Sequence, residues 1–327
     1  MASIDISTIH QTSLAALRAH GAGETQAHAM AEAIAWAEAR GNRICGLYYL
    51  ESYCQQLVTG RVDGTVEPQV TRPRPGFVRV DAGYGFAQPA FLAALPEAVK
   101  AARKNGIAAL AVSHAHTCTA VGFFTESIAR AGLIGFGCTN ASPIVAAPGG
   151  KKRVIGTNPL AFALPGPDGP SLQFDFSTSA VALGRITMAN AAGEPIPTGW
   201  AVDVDGNPAT DPKVALAGAL VSAGGHKGWG LGLMVEMLAA GLTGGVNSVD
   251  VKPLKAPEGP PHDLGQFYIL IDADVSPDYA DRFATLAAAI AEDDGARMPG
   301  AGKVPATETD VPEALWEMVL DLANGPA

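Results

Sequence analysis

The sequence predicts an α/β fold in which a mixed sheet is flanked by helical N- and C-terminal regions. Three observations carry the prediction. The first 60 residues read almost wholly as helix, with apolar residues at helical spacing. From residue 77 onward, short apolar runs of strand length alternate with longer helical stretches. The 327 residues are 48% hydrophobic and 17% charged, which suits a large buried core, and 38 Gly with 24 Pro supply many loops.

In chain order, residues 6–40 predict two helices. Ser7 or Thr8 is the expected cap of the first, and Gly21-Ala22-Gly23 breaks it from the alanine-rich second, 24–40. A third helical stretch covers 47–58, and the Pro and Gly residues at 72–76 mark a linker. Residues 77–80 predict a strand, 89–105 a helix and 107–112 a buried strand. A helix at 123–131 and strands at 134–138, 161–164 and 172–176 follow. Residues 191–213, rich in Gly, Pro and Asp, read as a structured loop. Residues 229–242 form an apolar helix, 267–271 a strand, and helices near 279–292 and 311–323 close the chain.

Composition excludes several classes. A net charge of −10, with no basic run, argues against nucleic acid and anionic membrane surfaces as partners. No signal peptide and no apolar stretch of ~18 residues is present, so the expectation is a cytoplasmic protein. Cys45, Cys54, Cys118 and Cys138 form no CxxC pair, which reads as reduced thiols without a zinc framework.

Four segments carry polar chemistry. Gly83-Tyr-Gly85-Phe-Ala-Gln88 imitates a dinucleotide fingerprint. Its third glycine is missing, and Arg103 and Lys104 stand where an acid belongs, so it reads as a strand-to-helix loop. Ser113-His-Ala-His116 follows a strand, at the edge where open α/β sheets place ligands, and imidazole is a common proton donor. An extended backbone would turn residues 114 and 116 to the same side, and no carboxylate nearby completes a metal site. Gly224-Gly-His226-Lys227-Gly228 opens a helix. Flexible glycines, the helix dipole and a lysine suit a pyrophosphate or a 2′-phosphate. Gly156-Thr-Asn-Pro159 and Asp175-Phe-Ser-Thr-Ser179 are polar turns after strands, while Asp203 and Asp205 in VDVDGN read as a solvated turn.

Taken together, and in order over about residues 1–275, these segments resemble the malate/L-lactate dehydrogenase type 2 oxidoreductases. The matching pieces are Thr139-Asn-Ala-Ser-Pro143, Pro148-Gly-Gly150, Gly156-Thr-Asn-Pro-Leu160, Asp175-Phe-Ser-Thr-Ser179 with Gly184, Gly193-Glu-Pro-Ile-Pro, Gly206-Asn-Pro and Gly225-His-Lys-Gly228. The resemblance implies a non-Rossmann dinucleotide-binding sheet in a homodimer with the active site near the subunit interface. It also implies NAD or NADP, with NADPH preferred. Thr157, Asn158, Asp175, Ser177, Thr178, His226, Lys227 and Gly228 fall on cofactor positions, and His116 on a histidine of the active-site motif. The organisation expected is a helical region at 1–72 packed with the C-terminal part, an NAD(P)-binding α/β domain at 73–215 and a mixed region at 216–327.

Departures from the pattern bear on the substrate. The family's serine-histidine-glycine segment and its following arginine become Ile44, Cys45 and Tyr49, and Thr117 and Cys118 replace a second histidine and a phenylalanine. Tyr48 or Tyr49 can still donate a proton, beside Cys45, and Arg43 is the cation nearest in sequence for a substrate carboxylate. Relatives that reduce cyclic ketimines often carry an aspartate where this chain has Arg185, and an arginine there favours an anion. The leading expectation is therefore interconversion of a small 2-hydroxy acid and its 2-oxo acid, for instance malate, lactate or sulfolactate. His116 and Tyr49 handle the proton. The alternatives are a reductase of Δ1-pyrroline- or Δ1-piperideine-2-carboxylate and a catalytically silent NAD(P)-binding relative.

Overall fold

The structure, a computed structural model, describes residues 1–167, 169–300 and 304–325. Its first helix, Ile6–Ala19, is capped by Asp5, whose carboxylate accepts from the amides of Ser7 and Thr8. Neither Ser7 nor Thr8 is the cap, because the preceding strand, Ala2–Asp5, ends where the helix begins. That strand pairs antiparallel with Glu308–Val311, an association between chain ends that local pattern does not reveal. Gly21, at φ +100°, makes the break before Glu24–Ala39. This second helix is buried over most of its surface, and Leu50–Val58 and Glu313–Ala323 pack beside the first around Leu17, Met30, Ile34 and Tyr53.

A seven-stranded sheet forms the centre. Its order is Gln69–Arg74, Phe77–Asp81, Ile107–Ala115, Leu264–Ile271, Ile134–Thr139, Leu160–Leu164, Leu172–Phe176. Only Phe77–Asp81 and Ile107–Ala115 are parallel neighbours, joined through the helix Ala87–Asn105; every other neighbouring pair is antiparallel. The central strand comes from late in the chain, so residues beyond 216 complete a sheet begun near residue 69. A smaller five-stranded sheet is built from residues between 145 and 220.

Two expectations are corrected. The linker at 72–76 is the tip of a hairpin, with Gln69–Arg74 paired to Phe77–Asp81. Pro73 is tolerated because this is an edge strand whose residues are all exposed. The loop expected at 191–213 is entered by a helix, Leu183–Ala192, and holds two short strands, Ala201–Val202 and Pro208–Ala209. Ile186 is that helix's one buried residue, so no apolar stripe announced it. The Tyr-Gly fingerprint imitation is a loop, as read, and its glycines make room for Val66: a Cβ on Gly83 would lie 2.7 Å from Val66 Cγ2.

The topology delivers one chemically loaded edge. The C-terminal ends of Phe77–Asp81, Ile107–Ala115, Ile134–Thr139 and Leu172–Phe176 lie beside the N-terminal ends of Leu264–Ile271 and Leu160–Leu164. The non-glycine residues at positive φ among those described are Tyr84, His114, Thr117, Thr119, Asn158 and Asp263; His114 lies at the C-terminal end of its strand and the others in loops on this edge. Such conformations cost about 1–3 kcal/mol each and cluster at functional sites.

Candidate active site

His116 stands at the centre of this edge and is fully buried. Gln56 donates its amide to the carbonyls of Leu254 (2.6 Å) and Ala256 (2.8 Å), so its Oε1 is left to accept from His116 Nε2 at 2.9 Å. His116 is therefore the Nε2–H tautomer, and its Nδ1 is a bare acceptor without a partner. The ring stacks on His262 at 4.5 Å and 11°. Burial, then the neighbouring His262 and Arg61, hold the His116 imidazole well below its usual range, and burial brings His262 down to about 4. His114 takes other partners. Its φ of 49° breaks the extended run, and its ring contacts Asp81 Oδ1 at 2.9 Å and the face of Tyr84.

Thiols and phenols make one wall. Glu38 accepts the amide of Leu47 at 2.8 Å, and Gly46 lies so close that a Cβ would sit 2.2 Å from its carboxyl oxygen. This turn presents Cys45, Tyr48 and Tyr49. Burial, with the nearby Asp175 carboxylate adding, pushes the Cys45 thiol up to about 12; burial, then Tyr48 and Cys45, push Tyr49 to about 12. Tyr49 stacks on the buried Tyr53, which lies beside Thr117. Cys118 is buried against the same group, its thiol driven well up by burial and by Asp175. Asp175 is open to solvent on its cavity side; its Oδ2 accepts from Gly122 N at 2.8 Å, and desolvation by the surrounding walls outweighs the Gly122 and Val121 amides and raises its carboxyl to about 6. A cavity of about 820 Å³ opens beside it, walled by Trp36, Arg40, Glu126 and Phe174.

The helix Leu183–Ala192 reaches this wall, since a Cβ on Gly184 would meet Ile44 Cδ1 at 2.5 Å. Arg185 itself is exposed and its guanidinium lies 5.7 Å from the Trp200 ring centroid. Arg43 is exposed, and its charge acts on Glu38.

The polar turns and the glycine-lysine helix converge. Thr178 N and Oγ1 both donate to the Thr157 carbonyl (2.9 and 3.0 Å), and Ala223 N donates to Thr178 O at 2.9 Å. Ser177 and Ser179 are joined through their hydroxyls at 3.0 Å. The helix His226–Glu236 begins at Gly225 (φ 63°) without any side-chain cap; Lys227 N and Gly228 N donate to the carbonyls of Gly224 (3.4 Å) and Ala223 (2.9 Å), so what the mouth offers an anion is the His226 amide and the positive end of the helix dipole. His226 and Lys227 are exposed at this mouth. Gly228 packs so tightly that a Cβ would lie 2.2 Å from Ala223 O and 2.9 Å from Thr178 O. These residues fit a phosphate-bearing dinucleotide: an uncapped helix, a lysine and backbone kept bare by glycine. Asn158 is engaged differently. Fully buried, it donates to Gly232 O (3.0 Å) and Glu236 Oε2 (2.8 Å), and Glu236 in turn accepts from Ser248 N (2.6 Å) and Oγ (2.6 Å). It ties the turn to the helix.

Sequence reading missed Gln56, Arg61, His262 and Lys255. Arg61, 2% exposed, donates to the carbonyls of Pro253 (2.9 Å), Ala256 and Pro260 (3.0 Å), fastening residues 253–260 over the site. The Pro257-Glu-Gly-Pro-Pro261 run was the one available signal, and it reads only as a loop. Among the described residues no group of His, Cys, Asp or Glu has metal-binding geometry, and no helix is long and apolar enough to cross a membrane.

The family model for malate/L-lactate dehydrogenase matches residues 4–310. The chain is 37% identical over 338 residues to a Δ1-pyrroline-2-carboxylate/Δ1-piperideine-2-carboxylate reductase of Pseudomonas aeruginosa, covering 98% of this chain and 99% of that one. It is 38% identical to a (2R)-3-sulfolactate dehydrogenase (NADP+) of Chromohalobacter salexigens, over 88% and 86%. The crystal structure of a Δ1-piperideine-2-carboxylate reductase from Pseudomonas syringae pv. tomato superposes with a TM-score of 0.89 at 33% identity, covering 98% and 100%.

Proposed function

The chain belongs to the malate/L-lactate dehydrogenase family and is an oxidoreductase; from that premise we propose that it reduces a small cyclic 2-imino acid with NADPH. The substrate class is Δ1-pyrroline- or Δ1-piperideine-2-carboxylate and the product a cyclic amino acid. This reverses the order of the two enzymatic readings made from sequence.

The observation that carries the reading is that the three groups the sequence offered as proton donors, Cys45, Tyr49 and His116, are all poor acids here. Reducing a 2-oxo acid places negative charge on oxygen, which needs a proton donor or a cation. Here Cys45 and Tyr49 hold their protons up to about 12, and His116 is neutral, sealed and bare at Nδ1. A protonated cyclic imine arrives with its proton on nitrogen. Hydride addition to its carbon then neutralises the iminium and leaves a secondary amine, with no acid required from the protein. Asp175, ionised above about pH 6, offers the negative charge that steadies the iminium, and the aromatic wall suits an aliphatic ring. Arg185, turned to Trp200, no longer argues for an anionic carbonyl substrate. The relatives named as cyclic imine reductases support the same choice.

The bound nicotinamide supplies the hydride. Lys227, His226 and the positive end of the helix dipole hold phosphate, while Thr157, Ser177 and Thr178 shape the adjoining turns, with Asn158 acting through loop geometry. The near-absence of parallel neighbours in the large sheet supports a non-Rossmann binding mode. Exposed Leu231, Leu233 and Met234 on the helix that bears Lys227, with Met237 in the turn that follows it, support a homodimer.

A second reading, a 2-oxo acid with an added anionic group such as sulfopyruvate, is favoured by the sulfolactate dehydrogenase relative. The test is NADPH and NADH oxidation with both cyclic imines, pyruvate, oxaloacetate and sulfopyruvate in parallel. The expected result is a kcat/KM for an imine about 100-fold or more above every oxo acid, the scale of a missing acid catalyst. Faster turnover of any oxo acid overturns the reading. Cofactor binding without any turnover returns the protein to the silent class.

A further inference from the structure

A small carboxylate must meet a cation, and most cations near the site are occupied. Arg40 is bound to Glu126 at 2.7 Å. Arg61 is wholly given to carbonyls of residues 253–260, and Arg185 faces Trp200. Lys255 differs. Its Nζ lies 3.6 Å from the Tyr48 ring centroid and 5.2 Å from that of Tyr49, and among the described residues no carboxylate lies within ion-pair distance of it.

A solvated lysine resting on an aromatic ring is common at surfaces. What sets this one apart is how its backbone is held. Buried Arg61 donates to carbonyls on both sides of it, Gln56 donates to Leu254 O and Ala256 O, and Thr59 Oγ1 donates to Pro257 O at 2.7 Å. Gln56 is also the partner of His116, so a single buried amide sets both the strap and the histidine. A loop fixed by three side chains presents its central lysine at a defined place, above the same tyrosines that line the Cys45 wall.

We propose that Lys255, carried on the clamped strap 253–260 over Tyr48 and Tyr49, is the cation that binds the substrate carboxylate. It takes the task expected of the arginine whose position is Tyr49. The inference deepens the proposed function and rests on its placement of the site, but a carboxylate is common to imino and oxo acids alike.

The test compares wild type with Lys255→Ala and Lys255→Arg. Binding of pyrrole-2-carboxylate, a planar analogue that cannot accept hydride, is measured by calorimetry against the neutral pyrrole-2-carboxamide, in the presence of NADP+. Imine turnover is measured on the same preparations. Lys255→Ala should weaken carboxylate binding about 10- to 100-fold, the worth of a charge-assisted hydrogen bond. The carboxamide should be unaffected and Lys255→Arg should retain most of the affinity. In turnover, the alanine variant should raise KM with kcat nearly unchanged. Because Lys255 is exposed, melting temperatures should coincide. Carboxylate affinity in Lys255→Ala within twofold of wild type overturns the proposal, even if wild type reduces imines. Loss of carboxylate selectivity in Lys255→Ala, with no imine turnover by wild type, keeps the lysine and removes the reductase reading.

Discussion

The His116–His262 stack makes the protein acid-sensitive in a way that one substitution isolates. His262 is 1% exposed and titrates at about 4 instead of its usual 6.5, mainly through burial, with Arg61 adding repulsion and the Pro253 carbonyl opposing. Its folded-state pKa is depressed, so the neutral ring is the form the fold accepts. The sign follows: stability is complete above about pH 6.5 and falls as pH drops toward 4, because the unfolded chain binds the proton more readily. Between pH 7.5 and 5.0 a histidine shifted in this way loses about 2 kcal/mol of stability. His116, lowered in the same direction, adds to the loss. Asp175 opposes it, because its carboxyl is raised to about 6 and the fold is relieved when it protonates. Comparison of wild type with His262→Phe, which keeps a ring against His116 and removes the titration, cancels the Asp175 contribution. Melting temperatures at pH 7.5 and 5.0 should show wild type losing about 4 °C more than the variant, at roughly 2 °C per kcal/mol for a chain of this size. Equal losses in the two proteins would refute a neutral, buried stack.

Three other outcomes are expected. Gly228→Ala forces a Cβ to 2.2 Å from Ala223 O, where backbone must yield; it should lower NADPH affinity at least about tenfold with a stability cost of about 1–3 kcal/mol, read by fluorescence titration and melting. Glu126, 3% exposed, accepts from Arg40, Arg130 and Trp36 Nε1. Glu126→Ala strands Arg40 and should cost about 3 kcal/mol, the low end for a broken buried pair because Arg40 is 21% exposed; unchanged melting would remove this cluster from the list of structural supports. Asp175→Asn should abolish the fall in imine kcat/KM below about pH 6 that the wild-type carboxylate imposes, and should lower the plateau about 10-fold or more. A variant that keeps the acid limb assigns that limb to another group.

The extent of what was legible in the sequence follows from the range of the forces involved. Helix Ile6–Ala19, the break at Gly21 and the strands Ile134–Thr139 and Leu172–Phe176 were readable because periodicity and glycine act within a few residues. The glycine-lysine helix mouth and the replacement of an expected histidine by Cys45 were visible for the same reason: each is a local statement about residue type and spacing. Other features were decided between distant segments. Strand Leu264–Ile271 entered the middle of the large sheet, and His262 was carried onto His116 with it. Gln56 and Arg61, ordinary polar residues in sequence, acquired their meaning only when the carbonyls of residues 253–260 arrived within reach. The tautomer of His116 and the raised thiol of Cys45 are products of burial and neighbours, and burial is a property of the folded chain; the place of Lys255 over Tyr48 is set by the strap that carries it. Sequence alone therefore determined the family, the α/β texture and which catalytic groups are missing; tertiary packing decided which groups meet, and thereby the charge each one carries.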